Sequence, residues 1–123
     1  MSNTAHELSN PEDTKLITLA RSSRARNSAA EGAAVRDETG RTYVATTVSL
    51  PSLQLSAVQA AVAAAVSSGA QRLEAAVVVT EAAEWTEADR AVAADLNTET
   101  LVVAAPDGTP VRVEQGAAGR GNR

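Results

Sequence analysis

The stretch TYVATTVSLPSLQLSAVQAAVAAAVSSGAQ, residues 42 to 71, contains no charged residue, and we expect the rest of the chain to pack around it. Its second half, from Leu53 to Gly69, is predicted to be a helix. Ser56 followed three residues later by Gln59 fits the capping box, in which each side chain binds a backbone amide left free at the helix start. Gly69 supplies the left-handed residue that commonly ends a helix.

The predicted helix is apolar nearly all round. Val58, Val62 and Val66 recur every fourth residue as one stripe, and alanines fill most of the other positions. A helix that is apolar on every side is typically buried. It does not suit a membrane, because spanning takes about 20 strongly apolar residues and this run is shorter and mostly alanine. We therefore predict the central helix of a soluble domain.

The composition narrows the class of protein. The chain has 123 residues, enough for one domain with a proper core. It contains 27 alanines and no phenylalanine, so the core must be built from Val, Leu and Ala at close spacing. The net charge of −4 argues against a general nucleic-acid binder, which usually presents a basic face.

The lack of cysteine and of a signal-peptide pattern limits the metal sites and the cellular location that we expect for this protein. The chain has no cysteine, which excludes disulfides and thiolate metal sites. Residues 1–13 are polar and do not resemble a signal peptide, so we expect a cytoplasmic protein that does not enter a membrane.

Local patterns predict the remaining elements. A continuous apolar run such as that before Thr80 indicates a buried strand, and Thr86 followed by Asp89 resembles a second capping box. A hairpin followed by strand–helix–strand units predicts a mixed sheet with helices on both faces. We expect a flexible N-terminus over 1–10, one domain over 11–114 and a disordered tail over 115–123. The predicted elements are a helix from Pro11 toward Arg26, strands over 33–36 and 41–49, the central helix, a strand over 73–80, a helix over 86–96, a strand over 100–105 and an edge strand over 111–113.

Four segments resemble the cytidine deaminase family, in particular its small bacterial members. Residues 32–43 are similar to the family's Val-Gly-Ala-Ala hairpin. Residues 56–69 lie where the family has Cys-Ala-Glu-Arg followed by an alanine-rich helix. Residues 86–90 lie where it has Pro-Cys-x-x-Cys-Arg, and residues 101–108 resemble the next strand and its Asp-Gly turn. The resemblance runs from about Pro11 to Val113 and implies an α/β fold, a cytidine deaminase-like three-layer αβα sandwich with a mixed sheet of four to five strands.

The resemblance also says which residues would carry the chemistry. Zinc deaminases hold Zn²⁺ with three side chains, and the metal lowers the pKa of a bound water from about 15.7 to roughly 7. A glutamate that is not a ligand moves the protons. By this resemblance Ser56 occupies the first ligand position and Val58 the glutamate position. Thr86 and Asp89 occupy the paired ligand positions.

These four residues do not supply that chemistry. The hydroxyls of Ser56 and Thr86 do not ionise near neutral pH, and Val58 cannot move a proton. Both hydroxyls instead suit helix caps, because the free amides at a helix start can donate to either a thiolate or a hydroxyl. We expect no catalytic residue, no bound metal and no cofactor at these degenerate positions. A hard cation held by Ser56, Thr86 and Asp89 is the alternative to capping, but one carboxylate makes a poor site.

The nucleoside pocket also departs from the family's pattern. Where the family holds the ribose with Asn-x-Glu, this chain has Thr47, Val48 and Ser49, and the pocket phenylalanine would fall near Ala29. The hypothesis is a catalytically inactive cytidine deaminase-like protein that acts as a binding, assembly or regulatory module. We expect a homo-oligomer, a dimer or tetramer, or an unidentified protein partner such as an active paralogue. The alternative is a zinc-dependent cytidine deaminase of pyrimidine salvage.

Other notable residues have simpler explanations beside the functional ones. His6 alone does not make a zinc site, because such a site takes three or four protein ligands. Trp85 is a contact residue or a core filler, and the glutamates around it form an acidic loop. The basic residues of the first half suit either an anion-binding patch or a solvated helix face, and the tail arginines are either a contact or a solubilising tail; these residues are Lys15, Arg21, Arg24, Arg26, Arg36, Arg120 and Arg123.

Overall fold

A computed structural model describes Leu8 and residues 10 to 116 of the chain. The helix over 11–26 is confirmed, with Asn10 as its cap. The elements, in order, are α1 (Pro11–Asn27), β1 (Gly32–Asp37), β2 (Thr42–Thr46), β3 (Val48–Leu50), β4 (Leu53–Leu55), α2 (Ala57–Ser67), β5 (Leu73–Val79), α3 (Glu87–Asp95), β6 (Thr100–Ala104) and β7 (Pro110–Gln115).

Five strands form one mixed sheet in the order β2-β1-β5-β6-β7. β5 and β6 are parallel and are joined through α3, whereas the other neighbouring pairs are antiparallel. Strands β3 and β4 form a separate two-stranded hairpin. The predicted mixed sheet is therefore confirmed.

Helices cover both faces of the sheet and make three layers. On one face α1 places Leu16, Ile17 and Ala20 against alternate residues of β1, β5 and β6. On the other face α2 and α3 pack against the remaining alternate residues, with Trp85 between them and the sheet. This arrangement is the α/β sandwich that the pattern of elements predicts.

Small side chains let the layers approach closely. A Cβ atom at Gly32 would clash with the backbone carbonyl of Ala20, so α1 lies directly on β1. Alanines at 33, 34, 75 and 76 are fully buried on the two central strands. The alanine-rich composition is thus the reason that the core closes without phenylalanine.

The uncharged stretch contains a β-hairpin that its sequence pattern did not predict. The predicted strand over 41–49 divides into β2 and β3, and Pro51 lies in the turn between β3 and β4. Residues 53–55, which we predicted as the start of the central helix, form β4 instead. Helix α2 begins only after Ser56, because the capping box fixes its first turn.

Helix α2 is buried on one face only, so the prediction that it is buried all round was wrong. Val58 is fully buried and Val62 nearly so, but Val66 is 48% exposed. Residues four apart advance 400° around a helix, so a third valine drifts off the stripe that the first two share. Gly69 has φ of +108°, which confirms the left-handed end.

The predicted terminal segments lie mostly outside the described residues, as does His6. The edge strand expected over 111–113 is present as the longer β7. In the part of the chain that the structure describes, no helix has the length and apolar character that crossing a membrane requires.

Candidate functional site

The start of α2 is closed by a complete capping box. Ser56 is extended, with φ of −70° and ψ of 164°, and its Oγ accepts the Gln59 amide at 3.0 Å. In return the Gln59 Oε1 accepts the Ser56 amide at 2.9 Å. The prediction from the Ser–x–x–Gln pattern is confirmed, and two amides that a helix start leaves free are satisfied.

The start of α3 carries half of the expected box. Thr86 is the cap, and its Oγ1 accepts the Asp89 amide at 3.1 Å. The return bond, from the Thr86 amide to the Asp89 carboxylate, is not formed in the described structure. The carboxylate of Asp89 turns toward α2 instead.

Ser56 and Asp89 join the two helix starts. The Ser56 hydroxyl donates to Asp89 Oδ1 at 2.7 Å, a short bond between groups 33 residues apart in sequence. Asp89 is only 3% exposed, so this bond supplies a partner to a buried carboxylate that would otherwise be costly. We call Ser56, Thr86 and Asp89 the helix-start junction.

Val58 belongs to the core rather than to the junction. Its side chain is fully buried with the apolar residues between α2 and the sheet. The structure thus brings three of the four predicted site residues together. The fourth is an apolar residue two positions further along α2.

A pocket of about 670 Å³ opens beside Ser56. Its walls come from the end of α1, the β3–β4 hairpin, the α2 cap and the residues that follow β5. Thr47, Val48 and Ser49, the residues at the ribose positions of the resemblance, all line it. Among the described residues, no aromatic side chain lines the pocket, so a flat base would find no aromatic ring there to stack on.

Charged groups at the pocket wall already interact with each other or with the backbone. Arg24 donates through Nε to the carbonyl of Ala30 at 3.0 Å, and its Nη2 lies 3.8 Å from Glu81. Glu31 lies on the same wall. Sequence reasoning left Arg24 to either an anion-binding patch or a solvated helix face and placed Glu81 in an acidic loop, and it missed that both line one pocket. No local pattern signals this pairing, because it depends on α1 and β5 ending at the same side of the sheet.

The polar groups of the helix-start junction do not suit zinc. The hydroxyls of Ser56 and Thr86 are neutral near pH 7, and both already accept a backbone amide. Asp89 offers the only carboxylate of the junction, and its Oδ1 already accepts the Ser56 hydroxyl. Protein zinc sites take Cys, His or carboxylate ligands, usually three or four of them. Within the residues that the structure describes, no three His, Asp or Glu side chains could hold a metal ion together.

Nearby residues at α3 have structural partners. Arg90, which follows the junction, donates through Nη1 to Glu114 of β7 at 2.7 Å. This hydrogen bond lowers the pKa of Glu114 and raises that of Arg90, so both groups stay charged.

Trp85 is 5% exposed, which makes it a core residue, and its Nε1 is buried with no partner in the described structure.

The basic residues of the first half do not all lie on one surface, and those exposed on α1 agree with the alternative of a solvated helix face. Arg36 is buried on β1, where Nη2 lies 2.9 Å from Asp13 and Nε donates to Glu74 at 2.8 Å. Arg21 and Arg26 remain exposed on α1. Arg36 therefore serves the packing of α1 on the sheet.

Comparisons with known proteins agree with the resemblance to cytidine deaminases in both sequence and fold. A family model described as cytidine deaminase-like matches residues 9–108. Cytidine deaminase from Burkholderia pseudomallei superposes with a TM-score of 0.70 at 24% identity, over 88% of this chain and 95% of that chain. The enzyme from Mycobacterium leprae gives 0.65 at 24% identity, over 84% and 92%. The enzyme from Mycobacterium tuberculosis gives 0.63 at 24% identity, over 86% and 91%. A search of curated proteins found no match.

The family model covers most of the chain, and the solved structures share its sheet and helices along nearly their whole length. The chain belongs to the cytidine deaminase-like family.

Proposed function

We propose that this protein is a catalytically inactive member of its family that acts by binding, as an assembly or regulatory module. The observation that carries the proposal is the bond between the Ser56 hydroxyl and the Asp89 carboxylate. By the resemblance, these residues stand at zinc-ligand positions. A hydrogen bond within the chain connects the starts of α2 and α3 at the place where, in the family, a metal would connect them.

Ligand chemistry supports the same conclusion. Structural zinc sites built on thiolates bind with roughly 10–16 kcal/mol, and this chain has no thiolate to contribute. Two neutral hydroxyls and one hydrogen-bonded carboxylate cannot replace that affinity. Without the metal, no activated water is available for attack on a base.

The proton-transfer position supports it independently. Val58 is fully buried among apolar side chains and has no ionisable group. A general acid or base must reach the reacting atom and exchange a proton with it. The pocket beside Ser56 can therefore hold a small polar molecule without transforming it.

The binding role includes self-association. Four of the five large apolar side chains that are exposed in the described structure lie in the uncharged stretch, namely Val44, Leu50, Leu53 and Val66. They lie on β2, on the β3–β4 hairpin and on α2, and exposed large apolar side chains are the surfaces that an interface can bury. We expect a homo-oligomer or a complex with a protein partner.

A restoration experiment tests inactivity against the alternative of a zinc-dependent cytidine deaminase. The wild type and the quadruple variant Ser56→Cys, Val58→Glu, Thr86→Cys, Asp89→Cys are purified without chelators for elemental analysis and assayed for loss of cytidine absorbance. We expect no stoichiometric zinc and no turnover in the wild type, and zinc uptake in the variant. About one zinc per wild-type chain, or wild-type turnover that is lost in Ser56→Ala, would overturn the proposal.

A further inference from the structure

The wall of the pocket beside Ser56 carries one charge that nothing balances. The Nη2 of Arg24 lies 3.8 Å from Glu81, so the charges of these two residues offset each other. Glu31 is the exception on this wall, because its carboxylate forms no hydrogen bond or ion pair with any residue that the structure describes. The pocket of about 670 Å³ is therefore lined by an unbalanced negative charge.

The register of the sheet places two threonines beside Glu31. The Thr47 amide donates to the Glu31 carbonyl at 3.4 Å, which continues the pairing of β1 with β2 by one residue. Thr80 lies opposite Glu31 on its other side, one residue beyond the pairing of Gly32 with Val79. Directly opposite residues have Cβ atoms about 5 Å apart on one face of the sheet. We call Thr47, Glu31 and Thr80 the carboxylate row.

The carboxylate row lies on the same side of the sheet as α2. Ala33 of β1 and Val78 of β5 belong to the core that packs against α2. Glu31 and Thr80 each lie two residues away along the same strands, and side chains two apart share a face. All three residues of the row line the pocket.

One hydroxyl of the row is held in place and the other is unpaired. Thr80 is 6% exposed, and its Oγ1 accepts the Ala82 amide at 3.2 Å. Thr47 Oγ1 is buried and has no hydrogen-bond partner within the described structure. Buried polar atoms are nearly always paired, so this oxygen indicates a place where a donor from outside the chain fits.

A primary ammonium group matches the chemistry of the carboxylate row. It has N–H donors and no acceptor, whereas the row offers carboxylate and hydroxyl oxygens that accept. A hydrogen bond from an ammonium to a carboxylate is also about twice as strong as one between neutral groups. The net charge of −4 attracts cations to this protein. A quaternary ammonium lacks N–H groups and is bound by aromatic rings, which are absent from the described lining of the pocket.

We propose that this pocket binds a small primary amine, whose ammonium group is held by Glu31 between Thr47 and Thr80. The carbon chain of the amine lies against Val48 and Leu55, an apolar cross-strand pair of the β3–β4 hairpin that lines the same pocket. The inference rests on the proposed function, in which the pocket holds a molecule without transforming it, and names the chemical class of that molecule.

NMR titrations of the isotope-labelled protein with n-butylammonium, tetramethylammonium and n-butanol test the site. A background of potassium chloride in every titration removes the general attraction of cations. We expect n-butylammonium to shift the amide signals of Glu31, Thr47 and Thr80 and to bind at least about tenfold more tightly than the other two probes. Equal affinity for tetramethylammonium or for n-butanol overturns the proposal, because the former lacks N–H donors and the latter lacks charge.

Two substitutions distinguish the carboxylate row from charge in general. Glu31→Gln removes the carboxylate, whereas Glu12→Gln makes the same change in charge at the opposite end of α1. We expect Glu31→Gln to weaken n-butylammonium binding at least about tenfold and Glu12→Gln to leave it within about twofold. Equal losses overturn the proposal. Thermal melts show whether each variant folds, and if Glu31→Gln does not, Thr47→Val removes the unpaired hydroxyl with its shape kept; unchanged affinity in Thr47→Val then overturns the proposal.

The same titrations separate a failure of this inference from a failure of the proposed function. A wild type that does not bind n-butylammonium overturns the amine site but leaves the zinc and turnover measurements untouched. Zinc or turnover in the wild type overturns the proposed inactivity, whatever the amine does. Cytidine is titrated as a further probe, and tighter binding of cytidine than of n-butylammonium overturns the amine as the ligand class.

Discussion

Two polar clusters of the described structure each hold a buried carboxylate, and these carboxylates are satisfied in different ways. Where α1 meets the sheet, Arg36 lies between Asp13 and Glu74; we call these three residues the arginine cluster. Asp13 and Arg36 have side chains that are each 9% exposed, and they form a close ion pair without a well-aligned hydrogen bond. Between α2 and α3, the helix-start junction uses one hydroxyl and one carboxylate. The first cluster depends on charge balance, whereas the second depends on capping.

The largest effect is expected from unbalancing the arginine cluster. Asp13→Asn leaves the buried guanidinium with Glu74 alone, and removal of one member of a buried pair costs about 3 kcal/mol. The control is Glu12→Gln, because Glu12 forms an exposed pair with Lys15 at 3.1 Å. An exposed pair contributes about 1 kcal/mol or less. Urea unfolding of both variants measures the difference, and equal losses would mean that burial does not matter here.

Asp37, at the end of β1, is a buried carboxylate that forms no ion pair with any residue the structure describes. Its Oδ1 accepts the Thr39 amide, the Thr39 hydroxyl and the Arg41 amide, and its Oδ2 accepts the Tyr43 hydroxyl. Asp37→Asn replaces one acceptor oxygen with a donor nitrogen, so we expect a loss of about 1–3 kcal/mol. A free energy of unfolding within 0.5 kcal/mol of the wild type would contradict this, where about 0.5 kcal/mol is the usual range of a surface change.

The same residue gives the protein a dependence on pH. Burial alone raises the pKa of Asp37, but the hydrogen bonds from Thr39, Arg41 and Tyr43 outweigh burial and hold the pKa below its ordinary value of 3.8. The unfolded chain therefore binds this proton more readily than the folded one. Stability from this group is fully present above pH 3.8 and is lost as the pH falls through the lowered pKa. We expect Asp37→Asn to flatten that acid slope, and unfolding curves between pH 2 and 5 would show it.

The caps of the helix-start junction are expected to contribute less. Ser56→Ala and Thr86→Ala should each lower the free energy of unfolding by roughly 0.5–2 kcal/mol, because each removes a helix cap. The Ser56 variant should lie toward the upper end, because it also removes the partner of the buried Asp89. Denaturant melts with Ser52→Ala as the exposed control measure both. No change in either melt would mean that these residues are not caps in solution.

The smallest expected effect is the coupling across the junction. A double-mutant cycle with Ser56→Ala and Asp89→Asn isolates the hydrogen bond between them, with an expected coupling of about 1 kcal/mol. The pair Ser52→Ala and Asp89→Asn should be additive. A coupling near zero would mean that capping alone holds the two helix starts.

Sequence reasoning succeeded for most local signals, although the box of Thr86 and Asp89 formed only its Thr86 half. The Ser56–Gln59 box, the Thr86 cap and the left-handed Gly69 each depend on residues three or fewer positions apart, and all three are confirmed. Alternation and apolar runs identified the strands of the sheet for the same reason. Within the uncharged stretch the pattern was ambiguous, so the hairpin of β3 and β4 was missed.

Contacts between distant elements could not be predicted. The turn of Asp89 toward Ser56 depends on how α2 and α3 pack, which no spacing encodes. The pocket likewise assembles from segments around Arg24, Thr47, Ser56 and Glu81. Val66 is exposed because it has turned away from the face that Val58 and Val62 share, whereas composition alone suggested a buried side chain.

The close approach of α1 to Gly32 has a consequence for how this sequence can drift. In most cores truncation is the damaging change, since it leaves a void. Here alanines make up 11 of the 24 buried apolar side chains of the described residues, so truncation removes little at those positions, while each added methyl must push two layers apart. The scaffold should therefore tolerate substitutions at exposed positions yet reject enlargement of the buried alanines at its centre. Tolerance to substitution would therefore fall from the surface toward the core, and the smallest buried residues would be the least replaceable.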